Sequence, residues 1–268
     1  MSSTAPVITS AIPTHVTRLE RLIYRISCRW IFVFSIILGL YVGLPFIAPL
    51  FMKLGWDIPA RVIYFIYSFL CHQLPQRSFF LFGSKATYTL PEIQSVWQYT
   101  DNLIVLRQFI GSPEIGWKVA WSDRMVSMFT SIWLFGLLWW PLRRRLKPLA
   151  WWGLVLFLLP MAVDGTSHLI SDFAGIGQGF RDSNTWLTAL THSAFPTSFY
   201  TGDAWGSFNS LMRLLTGVLF GLGIVWFGFP YLDDAFSQQA QSMEVRVNYY
   251  HQKTADVSIR VTSGEKPL

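Results

Sequence analysis

Four stretches of this chain contain no charged residue, and their lengths leave few folds open. Trp30 to Met52, Met125 to Leu142, Leu149 to Val163 and Leu214 to Leu232 hold no Asp, Glu, Lys or Arg. A helix rising ~1.5 Å per residue crosses a ~30 Å hydrocarbon core in roughly 18–20 residues. The third stretch is short, but it extends through Asp164 toward Ile170. In lipid, a helix is the one open-chain arrangement that satisfies its backbone groups internally. Only 13% of the 268 residues are charged, against about 25% in soluble domains. The sequence therefore predicts an all-α polytopic membrane protein and excludes a soluble enzyme. Its spans are expected at about 30–52, 122–142, 148–168 and 211–232.

Aromatic residues support this reading. Trp139 and Trp140 end one stretch, Trp151 and Trp152 open the next, and Trp30, Trp117, Trp121 and Tyr231 flank other ends. Amphipathic rings favour the headgroup layer, so these residues are read as anchors rather than as a redox chain. Two cysteines, Cys28 and Cys71, cannot make a disulfide framework, and they are expected on opposite membrane faces. The first 29 residues show no apolar region ending at a small-residue cleavage site, so the first span is expected to act as an uncleaved insertion signal. The net charge of +6 clusters beside membrane segments and does not imply nucleic acid.

Those clusters set the topology. Arg18, Arg21, Arg25 and Arg29 precede the first span, and Arg143, Arg144, Arg145 and Lys147 lie between the second and third. Dense basic clusters in short loops mark the cytoplasmic side. Both termini are therefore expected inside, in a bacterial inner membrane. A full crossing at 60–83 would put the two clusters on opposite sides. That segment has only 15 uncharged residues between Arg61 and Arg77, among them His72, Gln73, Pro75 and Gln76. It is read as a broken or re-entrant helix, with a fifth span as the alternative.

The flanking parts are read by pattern. Residues 1–29 form a basic cytoplasmic segment, with Val16, Leu19, Leu22, Ile23 and Ile26 on one helical face. Residues 84–117 are expected as an outer helical insert. It starts a helix at Pro91-Glu92 and runs a second from Asn102 to Ile110, ended by Gly111. Residues 169–210 are expected as an outer loop, and its run of Gly175, Gly177 and Gly179 as a flexible turn. In the tail, 233–268, Val245, Val247 and Tyr249 alternate with polar residues, as do Val257, Ile259 and Val261. This pattern predicts a small cytoplasmic β-hairpin.

Four polar clusters converge on the outer half of the bundle. They run from Cys71-His72 through Arg77-Ser78 to Phe79, over Ser122-Asp123-Arg124, from Asp164 through Thr166 to His168, and from Arg213 through Thr216 to Gly217. On these residues the chain resembles the domain-of-unknown-function 2085 membrane family of bacteria and archaea. That family carries Cys-His-x-x-Pro-x-Arg-Ser-Phe, matched by Cys71 to Phe79. It also carries Asp-Gly-Thr, matched by Asp164 to Thr166, and Arg-x-x-Thr-Gly, matched by Arg213 to Gly217. The resemblance covers residues 60–230 in pieces. Where the family often has Cys-x-Arg-Cys-x-Gly, this chain has Ser122 to Ser127, which puts any family thiol site in doubt here. The resemblance implies architecture and assigns no activity.

Several chemistries compete for these residues. Asp164, His168 and Asp172 fall at i, i+4 and i+8 and would line one face if Gly165 does not end the helix. With His72 and Cys71 they would offer a divalent ion N, O and S donors. His72, Asp164 and His168 are thus the metal candidates, although no compact two-ligand motif is present. A structural network in which Arg77, Arg124 and Arg213 pair with Asp123 and Asp164 fits better, because ionisable groups near the membrane core are costly unless paired. The same arginines could grip an anion or a lipid headgroup. Catalysis by Cys71 with His72 as base is disfavoured, since neighbours on a helix point about 100° apart. No cofactor is implied. The expected partners are the bilayer and further membrane subunits. The sequence thus favours an accessory subunit, with an anion or headgroup binder or transporter as the alternative and a metal-dependent membrane enzyme behind both.

Overall fold

The computed structural model describes residues 17–263. In chain order they form α1 (Arg18–Cys28), α2 (Trp30–Lys53), α3 (Asp57–Ser68), β1 (Ser78–Leu81), α4 (Leu90–Val96), α5 (Leu103–Leu106), β2 (Gly111–Ser112) and β3 (Gly116–Ser122). Then follow α6 (Asp123–Leu142), α7 (Trp151–Asp172), α8 (Phe180–Ser183), α9 (Thr185–Leu190), α10 (Thr197–Tyr200) and α11 (Phe208–Ser263). Residues 34–230 make one compact unit, and the described residues before and after them belong to a second.

Among the described residues, four helices are long and apolar enough to cross a membrane: α2, α6, α7 and the Phe208–Arg246 part of α11. Helix α3 is not a fifth. Its 12 residues span only about 18 Å. The chain breaks at Gln73, whose φ is +53°, and Pro75 then opens a single 3-10 turn over Pro75–Arg77. The backbone freed by the break is hydrogen-bonded within the protein. Gln73 Nε2 donates to the Tyr64 carbonyl at 2.9 Å, and Arg107 Nη2 donates to that of Ser68 at 2.8 Å.

Residues 84–117 are only partly helical. Thr89 caps α4 in a box with Glu92, and Asn102 caps α5 through the amides of Ile104 and Val105. Helix α5 stops at Leu106, short of Ile110, because the chain turns there into an antiparallel sheet of order β1-β3-β2. Gly116, at φ +78°, allows the tight return; a Cβ there would lie 2.3 Å from the Leu81 carbonyl oxygen. Strand β3 pairs Phe80 with Lys118 and Leu81 with Trp117. Its Val119, Ala120 and Trp121 are wholly buried with Met52 of α2 and with Ala60 and Tyr67 of α3.

Lys118 is wholly buried too. Its Nζ donates to the carbonyls of Gln73 at 2.7 Å and Arg107 at 2.8 Å, which ties the break after α3 to the sheet. Burial pulls this amine down to about 7 from 10.5. Between those values the unfolded chain holds a proton that the folded chain has released, so stability rises with pH across that window. Melting in detergent should therefore move upward from pH 7 to pH 9.5, and Lys118→Met should flatten that rise. An unchanged slope in the variant would assign the effect elsewhere.

The C-terminal tail is a helix and not a hairpin: α11 runs unbroken to Ser263. No glycine or proline lies between Tyr231 and Ser263, so the Asn-Gly or Asp-Gly pair that favours a tight hairpin turn is missing. Gln, Ala, Met, Glu, Arg and Lys instead supply helix formers. In the same unit, Trp30 Nε1 donates to Asp233 at 2.9 Å and its ring stacks on Phe236. A Thr17–Glu20 capping box starts α1, which leaves Leu19 and Leu22 exposed. Both cysteines are free thiols.

Candidate functional site

The polar residues gather at the end of the 34–230 unit that carries the sheet, where α6 begins, α7 ends and α11 begins. Asp123 follows β3 directly, so the strand delivers it to the first turn of α6. Arg213 approaches it from α11. Its Nε lies 2.8 and 3.0 Å from the two Asp123 oxygens, and its Nη2 lies 2.8 Å from Oδ2. Arg213 Nη1 reaches Asp203 Oδ1 at 2.6 Å. The other Asp203 oxygen accepts from Arg77 Nε at 2.8 Å, and Arg77 grips Asp172 with two bonds of 2.7 Å. Asp203 thus bridges two arginines. Burial pushes its carboxyl up, but Arg77 and Arg213 outweigh that and hold it well below the carboxylate range. Burial likewise pulls Arg77 down, and Asp203 with Asp172 more than restores it.

A second set lies beside the first. Asp164 accepts from Arg124 Nη2 on one oxygen and from Arg181 Nη2 on the other, both at 2.7 Å. Arg181 Nη2 also lies 3.2 Å from His168 Nε2. A guanidinium can only donate, so His168 Nε2 accepts and its proton sits on Nδ1. That Nδ1 is buried and has no hydrogen-bond partner among the described residues. Helix α7 passes through Gly165 without stopping, so Asp164, His168 and Asp172 do share a face.

The loop after α7 is built to present its share. Asn184 adopts a left-handed conformation, wholly buried. Its Nδ2 donates to the carbonyls of Arg181 at 2.6 Å and Tyr200 at 2.8 Å. Asn209 ties the Arg181 carbonyl to that of Gly202 at 2.7 and 2.9 Å. These amides fix Arg181 and Asp203. Asp172 stood in the sequence only as part of a possible metal stripe; Arg181, Asp203, Asn184 and Asn209 were not picked out. Their one legible signal is polarity beside the membrane in a segment without periodicity.

Other candidates sit apart from the ion pairs. Thr216 bonds the Met212 carbonyl of its own helix at 2.7 Å, and Ser78 bonds that of Leu74 at 2.9 Å. Thr166 is exposed. Cys71 Sγ donates to Ser122 Oγ at 3.5 Å and accepts from the Gln73 amide, with no bond to His72. His72 is exposed. No group of three or more metal-ligating side chains occurs among the described residues, and both Asp164 oxygens already serve arginines. Cavities flank the pairs. One, of about 330 Å³, is bordered by Cys71, His72, Arg77, Arg124, His168 and Asp172 among others.

Four apolar helices of spanning length, with ion pairs gathered at one end, define a multi-pass membrane protein. The family described as "Predicted membrane protein (DUF2085)" matches residues 115–227. An uncharacterised protein of Methanocaldococcus jannaschii is 30% identical over 165 residues, covering 58% of this chain and 79% of that protein. The chain belongs to this family of predicted membrane proteins. No solved structure matches it.

Proposed function

We propose that the protein binds a small anion, either free phosphate or the phosphate of a lipid headgroup, in the cavity beside Arg124 and His168. One observation carries this reading: two residues that border the cavity keep hydrogen-bond donors without a side-chain partner among the described residues. His168 presents Nδ1–H, and Arg124 spends only Nη2 on a side-chain partner. Arg77, Arg124 and Arg213 border the cavity against the single carboxylate of Asp172. A guanidinium fork with a neutral imidazole donor suits a phosphate oxygen pair. In this reading the sheet end faces outward in a bacterial inner membrane. Helix α3 enters and leaves by that face, and both termini are cytoplasmic, as the basic clusters before α2 and after α6 favour.

Native mass spectrometry after gentle extraction tests the proposal. The wild-type chain should retain a phosphate-containing mass that is lost in Arg124→Gln; Asp164 keeps Arg181 in that variant, so the fold should survive. Inorganic phosphate should raise the melting temperature if the ligand is free, and phosphatidylglycerol nanodiscs should do so if it is a headgroup. A bare chain insensitive to both overturns the reading. A second reading, an accessory subunit of a membrane complex, is supported by the closure of the ion pairs. Arg77, Arg124, Arg181 and Arg213 are matched in number by Asp123, Asp164, Asp172 and Asp203, an arrangement sufficient as structural glue. Co-extracted chains without a small adduct would favour it.

A further inference from the structure

On the other side of the Arg77–Asp203 pair lies a second cavity of about 390 Å³ with the opposite electrostatic character. It is bordered by α4, by Tyr99 and Asp101, by the glycine loop at Ile176 to Gln178, and by Asp182 and Asp203. Three of its residues are aspartates, and no lysine, arginine or histidine borders it. The two Asp203 oxygens serve Arg77 and Arg213. Asp101 accepts from Gln178 Nε2 at 2.9 Å. Asp182 has a weaker hold, since one oxygen accepts the Gly179 amide at 2.9 Å and no ion pair forms among the described residues. Burial, with Asp203 nearby, pushes its carboxyl up to about 6. It faces a cavity that no lysine, arginine or histidine borders.

Gln76 gives the second, independent sign. It is 2% exposed, borders this cavity, and has no hydrogen-bond partner for either its Nε2 or its Oε1. Buried polar side-chain atoms are nearly always paired, and leaving a carboxamide unpaired at both ends is costly. Its sequence neighbours do not share this state: Arg77 and Ser78 are both fully engaged. A group that satisfies the amide must both donate and accept. Tyr99 is 90% exposed at the rim, and an aromatic face there attracts a cation.

From these features we infer that the cavity bordered by Gln76 and Asp182 binds a small organic cation, a protonated amine bearing an adjacent amide or hydroxyl group. The ammonium faces Asp182, and the neighbouring polar group pairs with the Gln76 carboxamide. A cavity of a few hundred Å³ with a few convergent polar groups is of ordinary size for such a ligand. The site does not depend on anion binding in the first cavity.

Glycinamide is the probe, titrated into the full chain in detergent by saturation-transfer NMR and calorimetry. Saturable binding is expected, with acetamide, which lacks the charge, much weaker. Asp182→Asn keeps the acceptor for the Gly179 amide and should weaken glycinamide by about tenfold or more, the usual scale for losing a charged hydrogen bond. Gln76→Met should weaken it several-fold, with Asp182→Asn as the variant that still decides the matter if Gln76→Met does not fold. No saturable signal, equal binding of acetamide, or binding indifferent to Asp182→Asn overturns the assignment. So does a cavity that responds to magnesium and not to glycinamide.

Discussion

Arg213→Met should destabilise the folded protein by about 3–5 kcal/mol, the range for removing one member of a buried ion pair. The loss should sit at the top of that range, because two carboxylates are affected. Arg213 is 2% exposed, and Asp123 and Asp203 are 2% and 5% exposed. Among the described residues Asp123 has no other guanidinium; beyond Arg213 it accepts the Arg124 amide at 2.8 Å and Ser210 Oγ at 3.5 Å. Asp203 keeps Arg77 on its second oxygen. The penalty therefore falls mainly on Asp123, and adding Asp123→Asn to Arg213→Met should recover much of it. Arg213→Lys should lie between wild type and Arg213→Met, since an ammonium keeps the charge but cannot hold both carboxylates in a fixed fork. Denaturant unfolding in detergent reads all three. A double variant no more stable than Arg213→Met would mean that side-chain packing, and not charge, holds α11 to α6.

The membrane helices were legible because lipid imposes a long charge-free run that few other structures need. Arg77, Arg124 and Arg213 were legible for the converse reason: a cation near the membrane requires a partner. What sequence could not supply was the partner of Arg77. Asp172 lies 95 residues away and Asp203 lies 126 away, in a loop whose order comes from Asn184 and Asn209 rather than from any periodic pattern. Strand β3 was hidden for another reason. Lys118 reads as a solvent-facing residue, and only the pairing of its amine with two backbone carbonyls lets it be buried. In the tail, alternation over Val245 to Tyr249 suggested strands, but a strand reading needed a turn that the composition does not favour. Helix propensity decided the outcome there.

Gly221→Val should force apart two membrane helices of the 34–230 unit, and the reason lies in the spacing of four small residues. Gly217 and Gly221 lie four apart on α11, and Ser127 and Ser131 lie four apart on α6, so each pair occupies one helix face. Small residues at such spacing let membrane helices approach closely. A Cβ on Gly221 would lie 2.0 Å from Ser131 Oγ and 2.9 Å from the Ile132 nitrogen; on Gly217 it would lie 2.0 Å from Ser127 Oγ and 3.1 Å from the Met128 nitrogen. Turning a serine hydroxyl aside relieves the first clash of each pair but leaves the backbone atom in place. It also gives up the bonds from Ser131 Oγ to the Gly217 carbonyl at 3.3 Å and from Ser127 Oγ to that of Arg213 at 3.4 Å. Overpacking of this kind costs about 1–3 kcal/mol by itself. Here the cost should spread, because Arg213 stands one turn before Gly217 on the same helix. Pushing α11 from α6 draws its guanidinium away from Asp123. Gly221→Ala should be milder, and Ser131→Gly should rescue it by opening room for the new methyl group. Thermal melts of the two single variants and the pair in one detergent give the coupling directly. Strict additivity would show that the helices do not meet along this seam.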